Sequence, residues 1–384
     1  MDIYLPTRDE CKILVDTSDA FFCSVTEVEG QTVEMYNYRL ASHTDFFPED
    51  DSNWTELRGL TFVQQPNEQW QRNILLQKFF NINQTTDWMY DDVKDKKISR
   101  VQNKEDGSIV SFIRFANGNI RAKSKMSFTS SQAEMAQDIF MNDYNIRKFV
   151  TICLDNNLTP VFELVGPDNQ IVLEYKETKL ILLQVRRSDG SYEPNPELIA
   201  NEYNIACTET LPLKMQGLDY LLNIKETSQD DIEGWVVTFD DGQMAKIKTD
   251  KYLQLHGLIG PDAFRENLLV KTILDGNIDD VLSALITGNK KNKLIKMVTL
   301  LQQHFNSLVI EFIELRTKYF KEFNEVRKDF AIKHSKDTLF SSVIKTLGTS
   351  TKDIEKVAEI AVKDYILKQC KGLNDAKSYI KGLE

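Results

Sequence analysis

The sequence predicts an α+β fold, in which antiparallel sheets with helices precede an all-helical C-terminal domain. Strand-like runs fill the first 250 residues, and turn signals join several of them as hairpins. After Pro261, the last proline, helical periodicity continues almost to the end. The 384 residues suffice for two domains. We place the boundary within 250–262 and divide the chain into residues 1–254 and residues 255–384.

The strands are predicted from runs of β-branched and aromatic residues. In chain order these runs are TVEMYNYRL, LRGLTFV, ISRVQN, SIVSFIRF, NIRAKSK, TPVFELV, IVLEYK, KLILLQVR, GWVVTF and QMAKIKT. The turns ANGN at 116–119, PDNQ at 167–170 and DDG at 240–242 predict three hairpins.

One long helix is predicted among the strands, from Ser131 towards Leu154. Ser131 and Glu134 have the spacing of a capping box. In the C-terminal domain, stripes of Leu, Ile and Phe such as those in NKLIKMVTLLQQHFNSLVIEF predict the core of a helical bundle.

Composition excludes several classes of site. Five scattered cysteines without C-x-x-C spacing and four dispersed histidines argue against a disulfide framework or a zinc site, and fit a reducing cytoplasm. No apolar run approaches the length of a membrane span. The net charge is −11, but residues 262–384 carry 21 Lys or Arg against 17 Asp or Glu. Phosphates could therefore still be bound by a local cluster of lysines.

The common nucleotide-binding loops are absent from the sequence. There is no G-x-x-x-x-G-K-[ST], no G-x-G-x-x-G and no G-x-S-x-G. If the chain holds a nucleotide, side chains must hold its phosphates.

Several short patterns place a charged residue next to β-forming residues. They are ELRGLTF with Arg58, LQKFFNI with Lys78, KEDGS with Lys104, AKSKMS with Lys123 and Lys125, VFELVGP with Glu163, DIEGWVV with Glu233 and AKIKTDKY with Lys246 and Lys248. Each alone has an ordinary explanation: turn chemistry for KEDGS, and surface salt bridges for Arg58 and Lys78.

Lys246 and Lys248 point to the same face of a predicted strand. They form either a two-cation clamp for a phosphate or the solvated face of an edge strand. The DDG turn would bring them near Glu233. Glu163 shares a face with Val161 and Val165, so it lies either on a solvent-exposed face or in a site.

Taken in order, K-x-D-G, K-S-K, F-E-L-V-G, E-G-W-V and K-I-K resemble the motifs of covalent nucleotidyltransferases, the ligases and capping enzymes. More narrowly, the chain resembles the T-even phage-type ATP-dependent RNA ligases that repair tRNA. The resemblance implies a nucleotidyltransferase fold for residues 1–254 and selection of RNA, such as tRNA, by residues 255–384.

The resemblance implies that Lys104 attacks the α-phosphate of ATP to form lysyl-AMP. AMP would then pass to an RNA 5′-phosphate, and an RNA 3′-hydroxyl would displace it. Lys246 and Lys248, together with bound Mg²⁺ or alternatively Mn²⁺, would favour the neutral amine of Lys104 and stabilise the transition state.

The resemblance also implies two sets of binding residues. Nucleotide contacts are expected from Tyr36, Arg58, Lys78, Glu105, Lys125, Glu163, Glu233, Lys246 and Lys248. Metal contacts are expected from Asp106, Glu163, Glu233, Asp279 and Asp280, although Asp279 and Asp280 could instead be a solvated first helical turn.

The expected partners are RNA with 3′-hydroxyl and 5′-phosphate ends, plausibly nicked tRNA, and a separate end-healing kinase or phosphatase. The protein is expected to act as a cytoplasmic monomer, with no membrane partner. Two alternatives stay open: a non-catalytic RNA-binding protein on a degenerate ligase scaffold, and a DNA ligase or capping enzyme. The latter usually has a β-barrel after the last motif, where this chain has helices.

Overall fold

The computed structural model describes most of the chain. The described residues are 3–48, 52–85, 88–215, 217–228, 230–255, 265–284, 289–349, 354–371, 376 and 379.

Twelve strands are formed within the described part of residues 1–254. They are β1 (Phe21–Val28), β2 (Gln31–Tyr38), β3 (Leu60–Gln64), β4 (Trp70–Asn73), β5 (Phe80–Asn81), β6 (Ile98–Lys104), β7 (Ser108–Arg114), β8 (Ile120–Ser124), β9 (Leu158–Val165), β10 (Lys179–Arg187), β11 (Gly234–Phe239) and β12 (Met244–Lys248).

Helices occur in both parts of the chain. They are α1 (Arg8–Thr17), α2 (His43–Phe46), α3 (Tyr90–Val93), α4 (Ser131–Asn142), α5 (Tyr144–Asp155), α6 (Pro196–Glu202), α7 (Leu218–Thr227), α8 (Asp250–Leu255), α9 (Glu266–Leu274), α10 (Ile278–Ala284), α11 (Asn289–Lys321), α12 (Arg327–His334), α13 (Phe340–Thr346) and α14 (Ile354–Gln369). No helix in the described ranges is both long and apolar enough to cross a membrane.

The strands form three four-stranded sheets, ordered β1-β2-β3-β4, β10-β9-β7-β8 and β5-β12-β11-β6. All neighbours pair antiparallel except the short β5, which runs parallel to β12. Every described element from Asp250 onward is a helix. The predicted α+β class, with antiparallel sheets followed by helices, is therefore confirmed.

The turn after Lys104 carries the chain from one sheet to another. β6 pairs with β11, whereas β7 pairs with β8 and β9. Gly107 in this turn lies so close to β9 that a Cβ there would meet the carbonyl oxygen of Leu164 at 2.3 Å. Lys104 therefore stands where the two sheets face each other.

Two of the three predicted hairpins are confirmed and one is wrong. The turns at 116–119 and 240–242 join β7 to β8 and β11 to β12. Residues 171–176, predicted as a strand, form none; β9 pairs with β10 instead. The amides of Val172 and Leu173 donate to Asp106, and Leu173 packs in the helical core. A short apolar run has the same pattern in either role, which explains the error.

The predicted long helix is two helices. The N-cap of the first is Ser130, not Ser131, and its Oγ accepts the N–H of Ala133 at 3.2 Å. Asp143 leaves the helix and caps the next one, because its side chain accepts the N–H groups of Asn145 and Ile146. An aspartate that bonds to downstream amides can end one helix and start another without a proline or glycine.

The helices α9 to α14 share one hydrophobic core, centred on α11 and α14. That core also takes in Leu173, Tyr252 and Leu253 from the first part of the chain. The division at 254 and 255 stays a prediction, because the helical core continues across it.

Gly234 at the start of β11 provides a test of the fold around the site. Its φ is +153°, and a Cβ there would meet the carbonyl oxygen of Ile247 at 2.0 Å. We expect Gly234→Ala to destabilise the protein by at least about 2 kcal/mol, seen as a lower Tm in thermal unfolding.

Gly217→Ala is the matched control, since no atom of a described residue beyond its chain neighbours lies within 4 Å of the Cβ position there and its φ is −79°. Equal Tm values for the two variants would contradict the close approach of β11 and β12.

Candidate active site

A cavity of about 180 Å³ lies between the sheet of β6, β11 and β12 and the sheet of β7, β9 and β10. Lys104, Lys246 and Lys248 line it from the first sheet, and Glu163 lines it from the second. β12 lies between β5 and β11, so the alternative of a solvated edge strand for its two lysines is wrong. The buried Ile247 separates them, as strand alternation requires.

Lys104 ends β6 with its side chain in contact with Glu233. The pairing of Lys104 with Gly234 brings the two side chains together. Nζ of Lys104 donates to Oε2 of Glu233 at 2.6 Å, and Glu233 is 3% exposed. Lys104 and Glu233 therefore form a salt bridge at the edge of the cavity.

Glu233 bridges two lysines. Its second oxygen lies 2.8 Å from Nζ of Lys248. Burial raises the pKa of Glu233, but the positive charges of Lys104 and Lys248 outweigh burial and hold that pKa below its usual value. For Lys248, burial lowers the pKa, and the charges of Glu233 and Asp280 outweigh it and raise the pKa. The two groups therefore stay ionised as a pair.

The first turn of α10 reaches this network from the helical region. Asp280 is 3% exposed and lies 2.9 Å from Nζ of Lys248. Asp279 accepts a hydrogen bond from Nζ of Lys78 at 3.1 Å. The alternative of a solvated helical turn is wrong for Asp280, because its carboxylate is buried against lysine and Asn81.

One end of the cavity is electropositive. Burial raises the pKa of Tyr38, but Lys125, Lys78, Arg58 and Lys246 outweigh it and lower the pKa to about 8. Nζ of Lys125 lies 4.5 Å from the centre of the Tyr38 ring. Burial lowers the pKa of Lys246 to about 8 and also lowers that of Lys125. These shifts indicate a place that favours an anion.

Arg58 and Lys78 both line the cavity and contact aromatic rings there. Arg58 lies 5.6 Å from the centre of the Phe79 ring, and Nζ of Lys78 lies 5.2 Å from that of Phe80. Burial lowers the pKa of Lys78, but Asp279 outweighs it and raises the pKa. Lys78 is therefore ion-paired inside the site, and its salt bridge is not a surface pair.

Glu163 lines the cavity, and its carboxyl group makes no hydrogen bond or ion pair to any described residue. Burial raises its pKa to about 8. The sequence allowed Glu163 to lie either on a solvent-exposed face or in a site, and in the structure it lines the cavity. Its carboxyl group is thus available to a ligand.

Glu105 and Asp106 follow Lys104 but face different surroundings. Glu105 lines the cavity and accepts hydrogen bonds from Thr208 and Tyr175; burial raises its pKa. Asp106 is 2% exposed, and its oxygens accept from the amides of Val172 and Leu173 and from the hydroxyl of Tyr252. Asp106 is therefore hydrogen-bonded to the loop before β10 and to α8, and it does not line the cavity.

Tyr36 is not among the residues that line the cavity, whereas Tyr38 is. Tyr36 pairs with Leu60 inside the first sheet, is fully buried, and donates its hydroxyl to Glu34. Tyr38 lies beyond the last residue pair of β2 with β3, so its ring reaches the cavity.

Sequence reasoning also missed five polar residues that line the cavity, namely Gln102, Asn103, Gln184, Thr208 and Thr238. A signal for Gln184 was present in KLILLQVR, where one polar residue interrupts an apolar strand, as Glu163 interrupts VFELV. Gln102 could have been found from its position two residues before Lys104, on the same face of the strand.

The carboxylates fit a hard divalent cation, although the described residues contain no group of three side chains that could hold a metal ion. Mg²⁺ in nucleotide sites commonly binds one or two carboxylates and completes its shell with phosphates and water. Glu163 supplies a carboxyl group without a protein partner in the described ranges. Glu233, Asp279 and Asp280 are engaged by lysines. These carboxylates therefore suit a divalent cation that enters the cavity together with a phosphate-bearing substrate.

Glu163 predicts a pH dependence of stability. Its folded-state pKa of about 8 exceeds the ordinary value of 4.5. The stability from its bound proton is therefore complete below about pH 4.5 and is lost as the pH rises through about 8. Since glutamine cannot ionise, we expect Glu163→Gln to gain Tm relative to wild type over that range, by roughly 5 °C, without nucleotide or metal.

The control is Glu174→Gln, at an exposed carboxylate of the loop before β10. Its Tm should keep a constant offset from wild type between pH 4 and pH 9. A constant offset for Glu163→Gln as well would show that Glu163 ionises in the folded protein as it does in water.

A family model described as RNA ligase matches residues 56–252, which contain all the charged motifs from Arg58 to Lys248. Among curated proteins, the "Putative RNA ligase" of Thermovibrio ammonificans is 25% identical over 318 residues. The match covers 80% of this chain and 81% of that protein.

Solved structures are similar at lower identity. An archaeal ATP-dependent RNA ligase has a TM-score of 0.47 at 9% identity, with 79% of each chain covered. A mutant Naegleria gruberi RNA ligase with ATP and Mn has a TM-score of 0.38 at 14% identity, covering 66% of this chain and 84% of that one. The family model spans more than half of the chain and includes its lysine cavity, so this protein belongs to the RNA ligase family and is an enzyme of that class.

Proposed function

We propose that this protein is an ATP-dependent RNA ligase that joins a 3′-hydroxyl to a 5′-phosphate through lysyl-AMP and RNA-adenylate intermediates. The observation that carries the proposal is the position of Lys104. Its amine stands at the end of a strand, facing a cavity that Lys78, Lys246 and Lys248 also line. These cations suit a triphosphate, and the amine suits attack on it.

In the first step, Nζ of Lys104 forms a bond to the α-phosphorus of ATP. The bond from that phosphorus to the oxygen bridging to the β-phosphate breaks, and pyrophosphate leaves. The ammonium of Lys104 gives up a proton to solvent before it attacks, which releases it from its hydrogen bond to Oε2 of Glu233. Lys246 and Lys248 stabilise the charge that develops on the phosphoryl oxygens.

The remaining charged residues hold the nucleotide. Arg58 and Lys78 bind the triphosphate and orient the leaving pyrophosphate. Asp279 and Asp280 of α10 form ion pairs with Lys78 and Lys248. The phosphates of the bound nucleotide replace these carboxylates as partners of the two lysines. Glu163 and Glu233 are the residues that would hold Mg²⁺ or Mn²⁺, which when bound supplies further positive charge to the phosphates.

Two transfers follow on RNA. An oxygen of the RNA 5′-phosphate attacks the phosphorus of lysyl-AMP, the phosphorus–nitrogen bond breaks, and Lys104 is restored. An RNA 3′-hydroxyl then attacks the activated 5′-phosphorus, and AMP leaves. None of the five cysteines forms a disulfide with another described residue, which fits the cytoplasm proposed as the place of this reaction.

We propose nicked tRNA as the natural substrate and the region of α9–α14 as the part that selects it. The resemblance of the motifs to tRNA-repair ligases supports this proposal, together with the positive charge of residues 262–384. The protein would act as a monomer and would receive ends healed by a separate kinase or phosphatase.

The lysyl-AMP step predicts that wild type becomes labelled by ATP carrying a radioactive α-phosphate, and that Lys104→Ala does not. The bond should be acid-labile, as a phosphoramidate is. Labelling is read on a denaturing gel, after pyrophosphate treatment to remove AMP already bound to the protein.

Lys97→Ala is the control, because Lys97 is exposed and precedes the same strand. It should be labelled like wild type. Label on Lys104→Ala, or none on wild type from any nucleotide, would contradict the proposed reaction and favour a non-catalytic RNA-binding protein.

The substrate proposal predicts faster sealing of a tRNA nicked in its anticodon loop than of unpaired RNA with the same ends. Folded tRNA holds the two ends near each other, so we expect a gain of about tenfold or more in the sealing rate. Single-stranded DNA serves as the comparison. Equal rates for nicked tRNA and unpaired RNA would contradict the proposal.

A further inference from the structure

Two buried side-chain amide nitrogens in the cavity have no hydrogen-bond partner among the described residues. The side-chain nitrogens of Gln102 and Gln184 are buried and make no hydrogen bond within the described residues. Gln184 is 2% exposed and Gln102 is 6% exposed, and both line the cavity. Buried amide donors in folded proteins usually have a partner, so two that line one cavity point to a site that binds a hydrogen-bond acceptor.

A β-bulge directs Gln184 into the cavity. The register of β10 against β9 shifts between Leu182 and Gln184. In a regular strand, Leu183 and Gln184 would point to opposite faces, but here both line the cavity. The extra residue is what turns a polar side chain towards an otherwise apolar wall.

The orientation of the Gln184 amide is fixed by the backbone. Its Oε1 accepts the N–H of Val185 at 2.8 Å, so the nitrogen is the group left for the cavity. Turning the amide over would break that bond and place two N–H groups against each other. Gln184 therefore offers a hydrogen-bond donor and cannot readily offer an acceptor.

The walls beside the two glutamines suit a flat, uncharged ring. Leu183 and Ile109 line the cavity from one sheet, and Val236 and Met244 line it from the other. Gln102 lies two residues from Lys104 on the same strand face, a separation of roughly 7 Å. A molecule that places phosphates at the lysines would thus extend its uncharged part between these walls.

We infer that Gln184 determines base specificity by donating a hydrogen bond to a ring nitrogen of adenine, with Gln102 as a second donor. This inference rests on the proposed adenylyl transfer and identifies the residues that recognise the base of ATP. Adenine presents N1, N3 and N7 as acceptors. Guanine carries a hydrogen on N1 and an amine at C2, so donors from the protein would meet donors on that edge.

The test combines substitution of Gln184 with substitution of the base. Self-adenylylation is measured in single turnovers with ATP, GTP and the 1-deaza, 3-deaza and 7-deaza analogues of ATP. In wild type, one analogue should react about 10- to 100-fold less efficiently than ATP, because it leaves a buried donor unpaired. In Gln184→Met, the reaction with ATP should become less efficient to a similar extent, so that ATP and that analogue react equally. The preference for ATP over GTP should also fall.

Two controls separate base reading from a structural role. Gln69→Met, at the exposed turn between β3 and β4, should keep the full pattern of wild type. Some deaza analogues should react with wild type as efficiently as ATP does. In Gln184→Met, the efficiency with these analogues should decrease to the same extent as with ATP, which would show a folded site that has lost one contact.

Each outcome has a distinct meaning. Equal reaction of all three deaza analogues in wild type, or an unchanged disadvantage in Gln184→Met, would overturn the role of Gln184 and leave the ligase reaction standing. Absence of labelling with every nucleotide in wild type would instead count against the proposed function.

Discussion

The site depends on one buried ion network, in which Glu233 lies between Lys104 and Lys248. Four lysines and one arginine line one small cavity and repel one another, and bringing charged groups out of water has a cost in free energy. The Glu233 carboxylate, held by Lys104 at 2.6 Å and by Lys248 at 2.8 Å, offsets that cost on one side of the cavity. Because Lys104 and Lys248 both pair with Gly234 in the sheet, the backbone register itself brings them to this carboxylate.

The helical region completes the network and is more than an appended module. Asp280 neutralises Lys248 and Asp279 neutralises Lys78, so two cations of the cavity are held by the first turn of one helix. A second link runs through Asp106, which joins the turn after Lys104 to Tyr252 and to the loop that packs in the helical core. Changes at the electropositive end of the cavity can therefore affect the helices, and changes in the helices can affect the cavity.

The cavity has two chemically different ends. At one end, cations lower the pKa of the Tyr38 phenol to about 8, which measures how strongly that end favours negative charge. At the other, Val236 and Met244 line the cavity from one sheet and Leu183 lines it from the other, near the amides of Gln102 and Gln184. This division matches a nucleotide, whose charge is concentrated in the phosphates and whose base is flat and neutral. One strand, β6, spans both ends through Lys104 and Gln102.

The sequence by itself determined the fold class, most strands, two of three hairpins and the family, because these follow from alternation, turn chemistry and the ordered motifs. It also singled out Lys104, Glu163, Lys246 and Lys248, all of which line the cavity. These residues stand out locally, as charges within β-forming runs.

The tertiary structure alone decided which partners those charges meet. Nothing local indicates that Asp280, far along the chain, is buried against Lys248, or that Asp106 bonds to a loop. Nor does alternation show Gln184 in the cavity, because a β-bulge reverses the face that a regular strand would give it. Local patterns record what each residue prefers, whereas long-range packing determines which preferences are met together.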